Sequence, residues 1–95
     1  MIVKIVSFQF NPESVNAAHD LLARDLKDTR NFPGCDGVEV LEDLVDPTIL
    51  HLVERWTTTA ASAAYSEFRA GPGAMTELVE LFAGSPSVVQ GTVVG

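Results

Sequence analysis

Within TILHLVERWT (residues 48–57), strand alternation sets Leu50, Leu52, Glu54 and Trp56 on one side and His51, Val53 and Arg55 on the other. A carboxylate on an otherwise apolar face must be paired or have its pKa raised, and a raised carboxyl can serve as a general base. Glu54 is therefore a candidate base; pairing with Arg69 or a helix-end amide is its structural alternative. Trp56 offers a ring to line a pocket and one N–H to donate, and a core tryptophan would read the same way. Further on, Tyr65 falls on an apolar helix face with Ala61, Ala64 and Phe68 at i, i+3, i+4 and i+7. Its hydroxyl needs a partner, either a substrate or a backbone carbonyl or Glu54. Arg69, four residues later on a similar side, can hold a phenolate near that ring or serve only as a helix-end cation.

The other reactive side chains are less well placed. His51 is the residue type suited to acid–base work near neutral pH, but alternation puts it opposite Trp56, where an interface histidine is expected. His19, beside Asp20 in a helix, reads as a solvated or rim residue. Cys35 lies in a turn with no flanking His or Lys to lower its pKa, so it reads as inert. Glu42-Asp43 and Glu77 with Glu80 have no histidine beside them and read as solvated faces rather than metal sites.

Composition narrows the setting. Thirteen acidic against six basic residues give a net charge of −7, which disfavours nucleic acid and anionic lipid as partners. With one cysteine and two histidines, neither an internal disulfide nor a structural zinc site can be assembled. No apolar run approaches the roughly 18 residues of a membrane span. Met1 leads straight into a strand-like segment, so no signal peptide is expected, and the cytoplasm is the expected compartment.

The elements that must position these residues are legible in order. An apolar content of 46% and a mean hydropathy of +0.19 in 95 residues predict one folded domain, 1–95, with its own core. Residues 2–10, rich in β-branched and aromatic side chains, read as a strand ending at Asn11-Pro12. Asn11 should cap a helix running to about Arg30, with Val15, Ala18, Leu22 and Leu26 on its apolar face. A turn-rich segment then leads into a second strand, Val38 to Val45, and a tight Asp46-Pro47 turn into a third, Thr48 to Thr57. Two short helices follow: one capped by Thr58 or Thr59 and ended by Gly71-Pro72-Gly73, the other carrying Met75, Leu78, Val79 and Phe82. SVVQGTVV closes the chain as a fourth strand. This order predicts an α+β ferredoxin-like sandwich, with a four-stranded antiparallel sheet and its helices on one face.

Such a sheet needs a polar outer face in a monomer, but these strands are apolar on both sides. In the first, Val3 and Ile5 oppose Ile2, Val6, Phe8 and Phe10; in the last, Val89 and Val93 oppose Val88 and Val94. A bare face of that size must be covered, and a second copy of the chain is the expected cover, giving a homodimer with sheets packed face to face.

The run Phe32-Pro-Gly-Cys-Asp-Gly37, the Glu54-Arg-Trp56 ending of the third strand and the Ala-rich helix after it resemble the antibiotic biosynthesis monooxygenase domain. In element order the likeness spans almost the whole chain. Members form dimeric α+β barrels; they include oxygenases acting on polycyclic phenols or quinols without metal or flavin, and relatives that bind and degrade haem. Two departures stand out. Where the family usually carries a helix histidine, nine residues after the tryptophan, this chain has Tyr65, and where haem-degrading members place an asparagine the nearest match is Ser7. Without that histidine a haem iron lacks an evident axial ligand from the helix.

The resemblance implies a monooxygenase, an oxidoreductase that needs no cofactor and no metal and lets dioxygen react directly with a small aromatic phenol or quinol once it is deprotonated. Trp56, Tyr65 and Glu54 would be catalytic. Ser7, Phe68, Arg69 and Phe82 would bind the substrate, the aromatic rings lining a dry pocket and Ser7, Tyr65 or Arg69 hydrogen-bonding its oxygen. The alternative is a non-catalytic dimeric binding protein that sequesters an aromatic metabolite in the same pocket; a third reading, disfavoured by Tyr65, is a haem-binding or haem-degrading relative.

Overall fold

The computed structural model describes residues 1–95. The chain runs through β1 (Ile2–Gln9), a 3-10 turn (Pro12–Ser14), α1 (Val15–Asn31), β2 (Cys35–Glu42), β3 (Ile49–Trp56), α2 (Thr59–Ala70), α3 (Thr76–Val79) and β4 (Ser87–Thr92). The strands form one sheet in the order β2-β3-β1-β4, with every neighbouring pair antiparallel. This is the α+β ferredoxin-like arrangement that the element order predicts. No helix is long and apolar enough to cross a membrane.

Register decides which side chains meet the helices. In β1, Ile2, Lys4, Val6 and Phe8 stand opposite Trp56, Glu54, Leu52 and Leu50 of β3, and these make the helix-facing side. Burial along β3 alternates strictly, with Leu50, Leu52, Glu54 and Trp56 buried. Ala18, Leu22 and Leu26 of α1 pack on Phe8, Phe10, Val38, Leu50 and Leu52, and Leu78 of α3 completes the core. Each such leucine contributes about 1.5–3 kcal/mol through burial.

Local chemistry sets the element ends. The residue before a proline is pushed towards extended backbone, and α1 stops where Phe32 (φ −72°, ψ 137°) precedes Pro33. Gly34 has φ +86°, and a Cβ there would strike the Ala61 side chain, so glycine is what lets this turn approach α2. β2 begins at Cys35, three residues earlier than Val38, because a bulge at Gly37 (φ +133°) extends the pairing with β3. Thr58 caps α2 by accepting the Ala61 N–H at 3.1 Å.

Three expectations about local structure are corrected. Asn11 does not cap with its side chain: its carbonyl accepts the Ser14 N–H to close a 3-10 turn, and its amide reaches the Leu81 carbonyl. The β2–β3 connection is a longer loop rather than a tight Asp46-Pro47 turn. Asp43 Oδ2 accepts the Val45 and Asp46 N–H groups and Asp46 Oδ1 accepts the Thr48 N–H, so two side chains shape it. The second short helix is a single turn, Thr76–Val79, because Leu81 and Ala83 pair instead with Asn11 and Gln9 at the end of β1.

Candidate active site

β3 and α2 bring together the groups that the residue types single out. Glu54, only 3% exposed, faces α2 from the centre of the sheet. It accepts a hydrogen bond at 3.1 Å from the indole N–H of Trp56, two residues along the same face. Burial raises the Glu54 pKa above the ordinary carboxylate range; the Trp56 N–H and the charges of Lys4 and Arg69 work in the opposite direction.

Tyr65 lies under α2 with its ring centroid 4.8 Å from that of Trp56 and 5.3 Å from that of Phe32. Its hydroxyl shares a 2.6 Å hydrogen bond with Thr29 of α1 and accepts one of 2.6 Å from Arg69 Nε. Burial pushes the phenol's pKa up, against the opposing pull of Thr29 and Arg69. The guanidinium also donates to the Gly73 carbonyl, the Asp25 carbonyl and Thr29 Oγ1, and lies 5.2 Å from the Phe68 ring centroid. Four of the five N–H donors of an arginine are thus committed to the protein.

These groups border a cavity of about 240 Å³. Val6, Phe8, Leu52, Met75 and Val88 supply its apolar wall, and Glu54, Tyr65, Arg69 and Lys4 its charged and phenolic groups. A roomier space of about 470 Å³ adjoins it and shares Lys4 and Ser66, but its lining is mostly Thr, Ser and Gln without a buried acid or phenol. On the other side, a space of about 200 Å³ shares Phe8, Arg69 and Met75. The reactive groups therefore belong to the smaller, central cavity.

The remaining expected site residues are placed differently. Trp56 is fully buried and borders none of these spaces; it is a core tryptophan that reaches the cavity only through Glu54. Ser7 lies on the opposite face of the sheet. It pairs with His51 in the β1–β3 register, its Oγ 2.7 Å from His51 Nδ1, while His51 Nε2 lies 2.8 Å from Asp43 Oδ1. Alternation from Phe8 already puts Ser7 on the outer side, so it cannot hydrogen-bond an oxygen beside Tyr65 within one chain. Phe82 stacks on Phe8 at 5.1 Å and borders the neighbouring space, not the central one. Phe68 packs against Phe32 at 5.6 Å and likewise stands outside the central cavity's lining.

Sequence reasoning does not single out three residues at the site, among them Ser66 of α2, which lines the cavity and accepts from Lys4. Lys4 occupies the helix-facing row of β1, and the alternation Ile2, Lys4, Val6, Phe8 is its signal. Thr29 continues the buried α1 stripe of Ala18, Leu22 and Leu26, a polar residue on an apolar row.

Comparison with known proteins adds the family. The family model for antibiotic biosynthesis monooxygenase matches residues 1–67, more than half of the chain. The chain belongs to the antibiotic biosynthesis monooxygenase family. That match includes β3 and the first part of α2, hence Glu54, Trp56 and Tyr65, and stops short of Arg69. Among solved structures, a Nitrosomonas europaea protein proposed to be an antibiotic biosynthesis monooxygenase superposes with a TM-score of 0.87 at 20% identity, all of both chains being covered. Rv0793 of Mycobacterium tuberculosis has a TM-score of 0.81 at 23% identity, covering 99% of this chain and 95% of its own. A Deinococcus radiodurans protein, also proposed to be such a monooxygenase, has a TM-score of 0.86 at 20% identity, covering 100% and 94%. At these identities the likeness shows the fold. No curated protein matches the chain.

Haem, which some family members bind, fits these residues poorly. The helix position that would offer an axial ligand is Tyr65, whose hydroxyl is buried and bonded to Thr29 and Arg69. Nowhere do three His, Cys, Asp or Glu side chains converge as a set of metal ligands.

Proposed function

We propose that this chain is a monooxygenase that oxidises a small aromatic phenol or quinol with dioxygen, without an added cofactor, as a cytoplasmic homodimer. The observation that carries this reading is the junction, beside the apolar wall of one cavity, of a buried carboxyl of raised pKa with a phenol–guanidinium pair. Glu54 takes the proton of the bound phenol, or of the activated methylene of an anthrone, and the fixed charge of Arg69 beside Tyr65 stabilises the anion beside a largely apolar wall. The anion's electron pair then forms a C–O bond to dioxygen. The substrate hydroperoxide, once protonated, loses water as its C–H electron pair becomes the new C=O bond and the O–O bond breaks. For an anthrone, the methylene and one dioxygen molecule together give a ketone carbonyl and one water, and every electron comes from the substrate.

Face-to-face pairing is supported by the outer side of the sheet, where Ile5, Leu41 and Val89 are 37%, 46% and 67% exposed around half-buried Val3 and Val53. A soluble monomer seldom leaves such a contiguous apolar patch open.

Oxygen uptake by the purified protein with a panel of reduced naphthoquinols and anthrones, corrected for autoxidation, tests the reading. Saturable, protein-dependent consumption with one oxygen atom in the product supports it. No excess consumption across the panel rejects it and leaves the second reading, a dimeric binding protein for an aromatic metabolite. The commitment of Arg69 and Tyr65 to partners inside the protein favours that alternative.

A further inference from the structure

Lys4 stands where the central cavity opens into the larger polar one, and it lines both. It rises from β1 between its register partners, Glu54 of β3 and Gln90 of β4, and its Nζ donates to Ser66 Oγ of α2 at 2.8 Å. An ammonium carries three N–H groups, so two are left without a protein acceptor. Acidic side chains outnumber basic ones thirteen to six, and Arg24 and Arg55 both form ion pairs, yet Lys4 forms none. The carboxyl opposite it in register is Glu54, but that carboxyl accepts from the Trp56 N–H and forms no ion pair with the ammonium. Arg69 also borders the central cavity without an ion pair to a carboxylate, but its donors are largely spent on the protein.

A cavity of about 240 Å³ is below the roughly 300–1,000 Å³ of a typical ligand pocket, so a ligand larger than a small ring system must extend out of it; the neighbouring space beside Phe82 is apolar apart from Arg69, so a polar extension fits the space past Lys4. There, Ser66 and Gln90 stand beside the ammonium. One ammonium flanked by a hydroxyl and an amide balances a single negative charge. It offers neither the guanidinium fork nor the additional cations with which phosphate is usually held.

We propose that Lys4 binds a carboxylate on the substrate, making the preferred ligand an aromatic hydroxy acid whose ring occupies the central cavity and whose acid group reaches the polar space. This rests on the assignment of the central cavity as the aromatic site. The test is calorimetric titration at pH 7 with 6-hydroxy-2-naphthoate and with its neutral methyl ester, so that oxidation need not occur. Wild-type protein should bind the acid at least about tenfold more tightly than the ester, by the roughly 1.5–3 kcal/mol of a charge-assisted hydrogen bond. Added salt should narrow that gap, Lys4→Gln should close it, and Lys4→Arg should keep it. Equal affinities in the wild-type protein, or a preference that survives Lys4→Gln, overturn the role of Lys4 while the aromatic cavity stands. If neither compound binds, both the cavity assignment and this inference fall.

Discussion

Glu54 is held between two influences that can be separated by mutation. Burial favours its neutral form and the Trp56 N–H favours its charged form, so Trp56→Phe should raise its pKa further. If Glu54 is the base, the acid limb of the rate–pH profile should move to higher pH in Trp56→Phe, beyond any fall in maximal rate. Glu54→Gln should remove that limb and lower turnover by at least about tenfold, as expected for loss of a general base. Stability should respond as well. The folded-state pKa lies above the unfolded one, so the folded protein binds more protons between the two, and wild-type stability falls as pH rises through that window. Glu54→Gln should lack this fall and so gain on the wild type towards neutral pH, which urea denaturation at a series of pH values will measure. Equal pH dependence in both proteins would contradict the assigned shift.

At the scale of elements, α1 and α2 are tied by Thr29, Tyr65 and Arg69, whose hydrogen bonds span the two helices. Tyr65→Phe removes the shared hydroxyl, leaving Arg69 Nε without its acceptor, and should cost about 1–3 kcal/mol in denaturant unfolding. The cost should be similar with or without ligand if Tyr65 is only structural; a simultaneous loss of turnover beyond the change in KM assigns it to the reaction. The turn before β2 is equally specific. Gly34→Ala combines a left-handed backbone with a clash against Ala61, so it should destabilise by about 1–3 kcal/mol, whereas substitution at Gly84, where a Cβ meets nothing, should not. The hairpin loop adds a pH effect of the opposite sign from that of Glu54. His51, with the Asp46 and Val45 N–H groups, lowers the Asp43 pKa, so that contribution is present above the usual carboxylate range and is lost as pH falls through the lowered pKa.

For the whole molecule, the sheet has one face under helices and one face bare, with β4 exposed along its whole length at the edge. Val53 sits at the centre of the bare face, opposite Ile5 and Glu39. Val53→Lys should leave the helix-facing core intact, as judged by its circular dichroism. Light scattering at micromolar concentration should then give twice the chain mass for the wild type and about the chain mass for the variant. A monomeric wild-type protein would remove the homodimer from the proposal.

Most of the architecture is determined by the sequence itself, because its signals are local. Alternation from Leu50 to Trp56 sorts β3 into two faces, the spacing of Ala18, Leu22 and Leu26 marks the buried side of α1, and Thr58 and Pro33 mark helix ends. Glu54, Tyr65 and Arg69 could be picked out for the same reason, since polar groups on apolar faces stand out in a periodic pattern. The partners of those groups depend on register and on helix packing between residues far apart in the chain. Only the tertiary structure decides that Tyr65 bonds to Thr29 across 36 positions, that Ser7 and His51 meet on the outer face, and that Trp56 lies behind Glu54 rather than in the cavity. Antiparallel register has a period of two and sets a whole row at once, so β1 brings Lys4 opposite Glu54 and carries Ser7 away from Tyr65 by the same pairing.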